Sequence, residues 1–182
     1  MNSYDCKIKT QMANYKELIP FILRWEGGFS NRKSDRGGAT NKGVTLATYR
    51  SVFGQNKSVE DLKKLTDAEW NTIFKKLFWD KCKADSIQDQ SIANLLVDWA
   101  WNSGAVNPIK KLQRILGVSA DGIVGKQTLN AVNTKSPLPI FGALKQARIE
   151  YYNAIVRNDP SQKVNLKGWM NRVNHIVYGK LL

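Results

Sequence analysis

The sequence predicts a helix-dominated, all-α fold with one small hairpin or loop after the first helix. Three observations carry that prediction. Apolar residues recur at helical spacing along nearly the whole chain, a capping box opens the strongest of these runs, and the only strand-like stretch is the glycine-rich segment around Gly38 to Thr45. At 182 residues the chain suffices for one compact domain with a real core, or for one domain and a small appended module.

The elements follow in order. Residues 1–11 are expected to form a loose, disordered tail, with Met12 able to serve as a functional start. In the first helix Ile19, Ile22, Leu23 and Glu26 follow the i, i+3, i+4, i+7 rule, so Glu26 falls where a core residue would. Pro20 is tolerated only near a helix start, which leaves that boundary open. Thr66-Asp67-Ala68-Glu69 is a capping box, and Trp70, Ile73, Phe74, Leu77 and Phe78 form an apolar stripe behind it.

A further helix is predicted from near Asp89, burying Ile92, Leu95, Leu96 and Trp99, until Gly104 stops it. Asn107-Pro108 is placed as N-cap and first residue of the next helix, which Gly117 ends. Asp121-Gly122 is a tight turn, and Gly125 precedes a short helix with Leu129 and Val132. Lys135 to Pro139 is expected to be a connector, followed by helices from about Ile140 to Arg157 and from about Leu166 to Lys180.

Charge and composition narrow the function. Lys and Arg number 28 against 15 Asp and Glu, a formal net charge of +13 that favours polyanionic partners: nucleic acid, acidic membranes or a negatively charged cell wall. Cys6 and Cys82 are too isolated for a disulfide framework, which fits synthesis in a reducing cytoplasm. The first residues show no apolar signal-peptide core and no run is long enough to span a bilayer, so neither a signal peptide nor a transmembrane segment is expected. His175 is the only histidine, and phosphate-cradling glycine motifs are absent, which disfavours zinc chemistry, a histidine triad and nucleotide binding; no metal and no cofactor is expected.

Carboxylate chemistry remains. Glu26 lies at a helix C-terminus and on the predicted core face, so the macrodipole and desolvation should both disfavour its ionised form, as a general acid at neutral pH requires. A glutamate at a helix end can equally point into water. Gly27-Gly28 should let the chain leave the helix in a left-handed conformation, and Gly37, Gly38 and Gly43 make a loop able to approach a ligand. Asp35 is the natural second carboxylate, although an aspartate there can also close a turn through its own side chain. Asn31 and Thr40 can hydrogen-bond either the loop or a sugar. Asp98 and Asn102 form a third polar group, either a solvated helix face or, with Trp101, a sugar-stacking wall; Tyr151, Tyr152 and Trp169 are assigned to the core.

These residues resemble the phage-type N-acetylmuramidases of glycoside hydrolase family 108, whose pattern runs Glu-Gly-Gly, six residues, then Asp-x-Gly-Gly-x-Thr-x-x-Gly. Here it is Glu26-Gly27-Gly28, Asp35, Gly37-Gly38, Thr40 and Gly43, without a gap. The second half is similar to the peptidoglycan-binding segment of that family, through Asp98 to Gly104, Leu112 to Gly117, Asp121 to Gly125 with Thr128, and Gly168 to Val173. Trp101 stands where the family pattern usually has a small aliphatic residue, and Arg32-Lys33-Ser34 makes the loop before Asp35 unusually basic.

The resemblance implies a lysozyme-like catalytic part in residues 12–92 and a helical peptidoglycan-binding part in 93–182, packed as one compact unit. It further implies cleavage of the β-1,4 bond between N-acetylmuramic acid and N-acetylglucosamine, with Glu26 as the acid. Asp35 would act as nucleophile at a carboxyl separation of about 5 to 5.5 Å, or as base for a water at about 6.5 to 9.5 Å. A lytic transglycosylase, a nucleic-acid-binding module and a wall-binding protein without catalysis are the alternatives. Scattered basic residues and the absence of a base-reading motif speak against nucleic acid. Peptidoglycan is thus the expected partner of a monomeric enzyme made in the cytoplasm, released by a holin or exported by another route, and acting on the wall.

Overall fold

The computed structural model describes residues 11–31 and 38–182. Asp35, the basic Arg32-Lys33-Ser34 stretch, Cys6 and nearly all of the expected tail lie outside the described residues. The helix-dominated prediction holds: helices carry the core, and strands occur among the described residues only as two-stranded antiparallel hairpins.

Helix α1 (Tyr15–Trp25) starts at Asn14, whose side chain accepts from the Lys16 amide at 3.0 Å. Pro20 therefore sits inside the helix. Pro20 and Lys16 are both exposed, so water can serve the Lys16 carbonyl that the proline leaves without a donor. Leu18, Phe21 and Ile22 are the buried face. The hairpin β1 (Thr40–Asn41) and β2 (Val44–Thr45) turns through Lys42 at φ 47° and Gly43 at φ 77°, the pair of left-handed residues that a two-residue turn needs.

Two short helices that the apolar spacing does not announce follow, α2 (Leu46–Phe53) and α3 (Val59–Lys63), the latter opened by a Ser58–Asp61 capping box. Asn41 is buried and donates to the carbonyls of Leu62 and Lys63 at 2.9 and 3.1 Å, tying the hairpin to the end of α3. Helix α4 (Asp67–Phe74) has the predicted Thr66–Glu69 capping box and runs into a π-helical turn, Lys75–Trp79. From α4 the Trp70 indole donates to the Lys42 carbonyl at 2.9 Å, which fixes the hairpin turn in space.

Helix α5 (Gln90–Ser103) is capped by Asp89 and stopped by Gly104 at φ 78°. It is not amphipathic: residues 91–100 are all buried, because α1, the π-helical turn and three later elements, α6 (Val106–Leu116), α8 (Pro137–Asn158) and β3 (Ile176–Val177), surround it. A boundary between residues 92 and 93 would cut α5 in its first turn, and one continuous core includes residues from both sides of that position.

Helix α6 (Val106–Leu116) begins before Asn107, which places Pro108 in the first turn rather than at its first residue; Gly117 ends it at φ 73°. Buried Gln113 holds the Asp121-Gly122 turn, donating to Asp121 Oδ1 at 2.8 Å and accepting from the Gly122 amide at 2.8 Å. Helix α7 (Lys126–Thr134) follows. The expected connector is instead the start of α8 (Pro137–Asn158), with Pro137 and Pro139 in a first turn whose amides have no intrahelical acceptor. Helix α9 (Lys163–Asn174) ends earlier than its apolar spacing predicts, and β3 (Ile176–Val177) and β4 (Lys180–Leu181) form a second hairpin through Gly179 at φ 78°.

Candidate active site

Glu26 is the C-cap of α1 rather than a residue on its helical stripe, with extended backbone at φ −95°, ψ 140°. Gly27 and Gly28 do not adopt positive φ, so the chain leaves the helix extended and the expected left-handed exit is absent. That extension turns the Glu26 side chain away from the apolar face of α1. It is 17% exposed, and its surroundings are polar donors rather than an apolar wall.

Both donors converge on one oxygen. Glu26 Oε1 accepts from Trp101 Nε1 at 2.8 Å and from Arg172 Nη1 at 2.9 Å. The other oxygen, Oε2, faces the hairpin turn: a Cβ placed on Gly43 would lie 2.6 Å from it and 2.8 Å from the Trp101 ring. Glycine at this position is therefore required twice, by its positive φ and by the close approach. Trp101 is held among Phe78, Trp70 and Phe74, its ring tilted by 48 to 60° against theirs, with ring centroids at 4.8, 5.3 and 5.9 Å.

Behind Arg172 lies Asp98, which was expected on a sugar-binding wall and is instead fully buried. Arg172 donates to it through Nε at 3.1 Å and through Nη2 at 2.7 Å. Arg148 Nη2 adds a second cation at 2.7 Å, out of line with its own N–H bonds, while Arg148 Nε donates to the Tyr152 hydroxyl at 3.2 Å. Burial alone would raise the Asp98 carboxyl, but the two guanidiniums outweigh it and hold Asp98 below the ordinary carboxylate range. Burial likewise opposes the charge on Arg172, and Asp98 with Glu26 overcomes it, so Arg172 is more firmly cationic than a free arginine.

The remaining predicted site residues are dispersed. Thr40 Oγ1 donates to the Gly38 carbonyl at 3.3 Å, the loop-closing role, and the Thr40 backbone pairs with Ser30 through two 2.8 Å bonds. Asn31 is exposed beside that bridge. Asn102 is exposed and donates back to the Asp98 carbonyl at 2.8 Å, a bond internal to α5. Tyr152 is buried, as assigned, whereas Tyr151 and Trp169, which stacks on Tyr152 at 5.0 Å, are only half-buried. A surface cavity of about 630 Å³ lined by Arg24, Trp25, His175 and the last hairpin adjoins α1, but Glu26 does not line it.

The sequence reading did not single out Arg148 and Arg172, the two cations of the buried group beside Glu26, although a signal was present. Phe141, Leu144, Arg148 and Tyr152 share one helical stripe, as do Trp169, Arg172, Val173 and Ile176; a charged residue on an apolar stripe is the anomaly that singled out Glu26. Among the described residues no group of three or more His, Cys, Asp or Glu side chains is placed to hold a metal ion, and no helix is long and apolar enough to cross a membrane.

Two family models match the chain, glycosyl hydrolase 108 over residues 19–104 and a predicted peptidoglycan domain over residues 107–174. They meet at the C-terminal end of α5. Among solved structures, that of Brucella abortus SagA is 31% identical, with a TM-score of 0.77 over 89% of this chain and 90% of that one. No curated protein matches. The helical scaffold and these matches agree: the chain belongs to the glycosyl hydrolase 108 family and is a glycoside hydrolase that acts on peptidoglycan.

Proposed function

We propose that the bond cleaved is the β-1,4 linkage between N-acetylmuramic acid and N-acetylglucosamine, and that Glu26 is its general acid. The place of Glu26 at the end of α1, opening the Glu-Gly-Gly motif, supports this reading, and the clamp on Oε1 fixes which oxygen is left to carry a proton. With Oε1 accepting two hydrogen bonds, a transferable proton can reside only on Oε2, the oxygen turned toward the Gly43 turn. From there it passes to the glycosidic oxygen as the C1–O bond breaks and the bonding electron pair moves onto that oxygen. Water then supplies the hydroxyl at C1, and the proton it loses returns to a carboxylate.

Asp35 is proposed as that second carboxylate, or as the group that stabilises the positive charge. The fully buried Asp98, engaged by two arginines, is not accessible for either task. Purified murein digested with the wild-type protein and with Glu26→Gln, followed by mass analysis of the fragments, tests the assignment. The wild type should release reducing ends carrying one added water, and Glu26→Gln should release none while keeping its melting transition. Anhydro-sugar products would make the enzyme a lytic transglycosylase, and lysis by Glu26→Gln would remove Glu26 from the chemistry.

A further inference from the structure

We infer that Arg172 is the positioning residue for Glu26, so that the segment matching the peptidoglycan-domain model is part of the cleavage machinery and not only a wall anchor. The inference rests on Glu26 being the general acid. Among the described residues Arg172 is the only cation paired with Glu26, and it comes from α9, 146 positions along the chain. An arginine that bound the wall would present its guanidinium to solvent. This one is 7% exposed and has every guanidinium nitrogen committed, Nε and Nη2 to Asp98 and Nη1 to Glu26.

Its orientation is fixed from behind. Asp98 on α5 cannot move toward solvent, because Arg148 on α8 holds its other oxygen. Arg148 is held in turn by Tyr152, and Tyr152 stacks on Trp169, one helical turn before Arg172 on the same face of α9. The chain of contacts thus closes on itself through α9, α5 and α8, and from it the Arg172 Nη1 bond reaches out to Glu26. Two guanidiniums and two carboxylates balance in charge across the group. A lysine in place of Arg172 would keep the charge but lose the fork that spans both carboxylates.

The test uses the full chain with Arg172→Lys and Arg172→Gln, measuring kcat and the half-saturating murein concentration, with melting curves as the folding control. Binding is read separately, as sedimentation with purified murein in the Glu26→Gln background. Arg172→Gln should lower kcat about 100-fold, the scale expected for a misplaced catalytic group, with half-saturation and sedimentation within about threefold of the parent. Arg172→Lys should fall between the two, and it carries the test alone if the glutamine variant does not melt cooperatively. A folded variant whose kcat stays within about threefold overturns the inference, as does a loss confined to half-saturation and sedimentation. Lysis by Glu26→Gln would defeat the acid assignment whatever Arg172 does; an inactive Glu26→Gln beside fully active Arg172 variants would defeat this inference alone.

Discussion

At the scale of single residues, Gly43 shows how the fold reaches into the chemistry. A methyl group there would meet a movable carboxyl on one side and, on the other, an indole locked among three aromatic rings. The carboxyl would give way. Gly43→Ala is therefore expected to lower kcat about 100-fold through displacement of Glu26. The positive φ should cost about 1 kcal/mol besides, read as a drop of about 2 to 4 °C in the melting temperature. Trp101→Phe keeps a ring in the cluster and removes only the N–H that Oε1 accepts. A hydrogen bond to a charged group contributes about 1.5 to 3 kcal/mol to stability, so the melting temperature should fall by about 3 to 12 °C. If the bond also positions the carboxyl, kcat should fall about tenfold in the folded variant; unchanged turnover would show that Arg172 alone suffices to hold the carboxyl.

At the scale of elements, the ends of helices were legible where a side chain closes them locally and illegible where packing does. The Thr66–Glu69 box, Asp89 and Gly104 were all read from the sequence, because each satisfies backbone groups within three or four residues. Pro20 and Pro137 misled because a proline reports only its own missing donor, not whether the carbonyl it deprives faces water or lies in a first turn. Thr66→Ala removes one half of the capping box at the start of α4. It should cost about 1 kcal/mol and about 2 to 4 °C, with turnover retained, since Trp70 and the hairpin contact lie beyond the first turn. A thermal melt and a murein assay on the same preparation check both halves.

At the scale of the whole molecule, the buried Asp98 group joins three helices from both family segments and makes stability depend on pH with a definite sign. Asp98 is held below its ordinary carboxyl value in the folded state, so the unfolded chain takes up its proton first on acidification. The stability it contributes is fully present above the ordinary carboxylate range, near pH 4, and is lost as pH falls through the folded value. Urea melts between about pH 5 and pH 2 should show this loss. Asp98→Asn should flatten that dependence and, by leaving buried Arg148 without an anion and Arg172 with Glu26 alone, destabilise the protein by about 3 to 5 kcal/mol even at pH 7. The net charge of +13 gives a second global expectation: attraction to anionic wall polymers should weaken with ionic strength, so lysis should decline across a salt titration at fixed pH.

The sequence by itself determined the helical class, the caps that end locally, the glutamate at the end of α1 and the glycine spacing around it, because each is a property of residues a few positions apart. Only the tertiary structure decided that Asp98 lies in the core rather than on a sugar-binding wall, that Trp101 donates to Glu26, and that Arg148 from α8 pairs with Asp98 while Arg172 from α9 pairs with both Asp98 and Glu26. Periodicity shows that a charged side chain lies on a buried stripe, but not which other stripe it meets. That meeting joins residues 74 and 146 positions apart, and it is set by how α1, α8 and α9 bring their side chains to Asp98 and Glu26 beside α5.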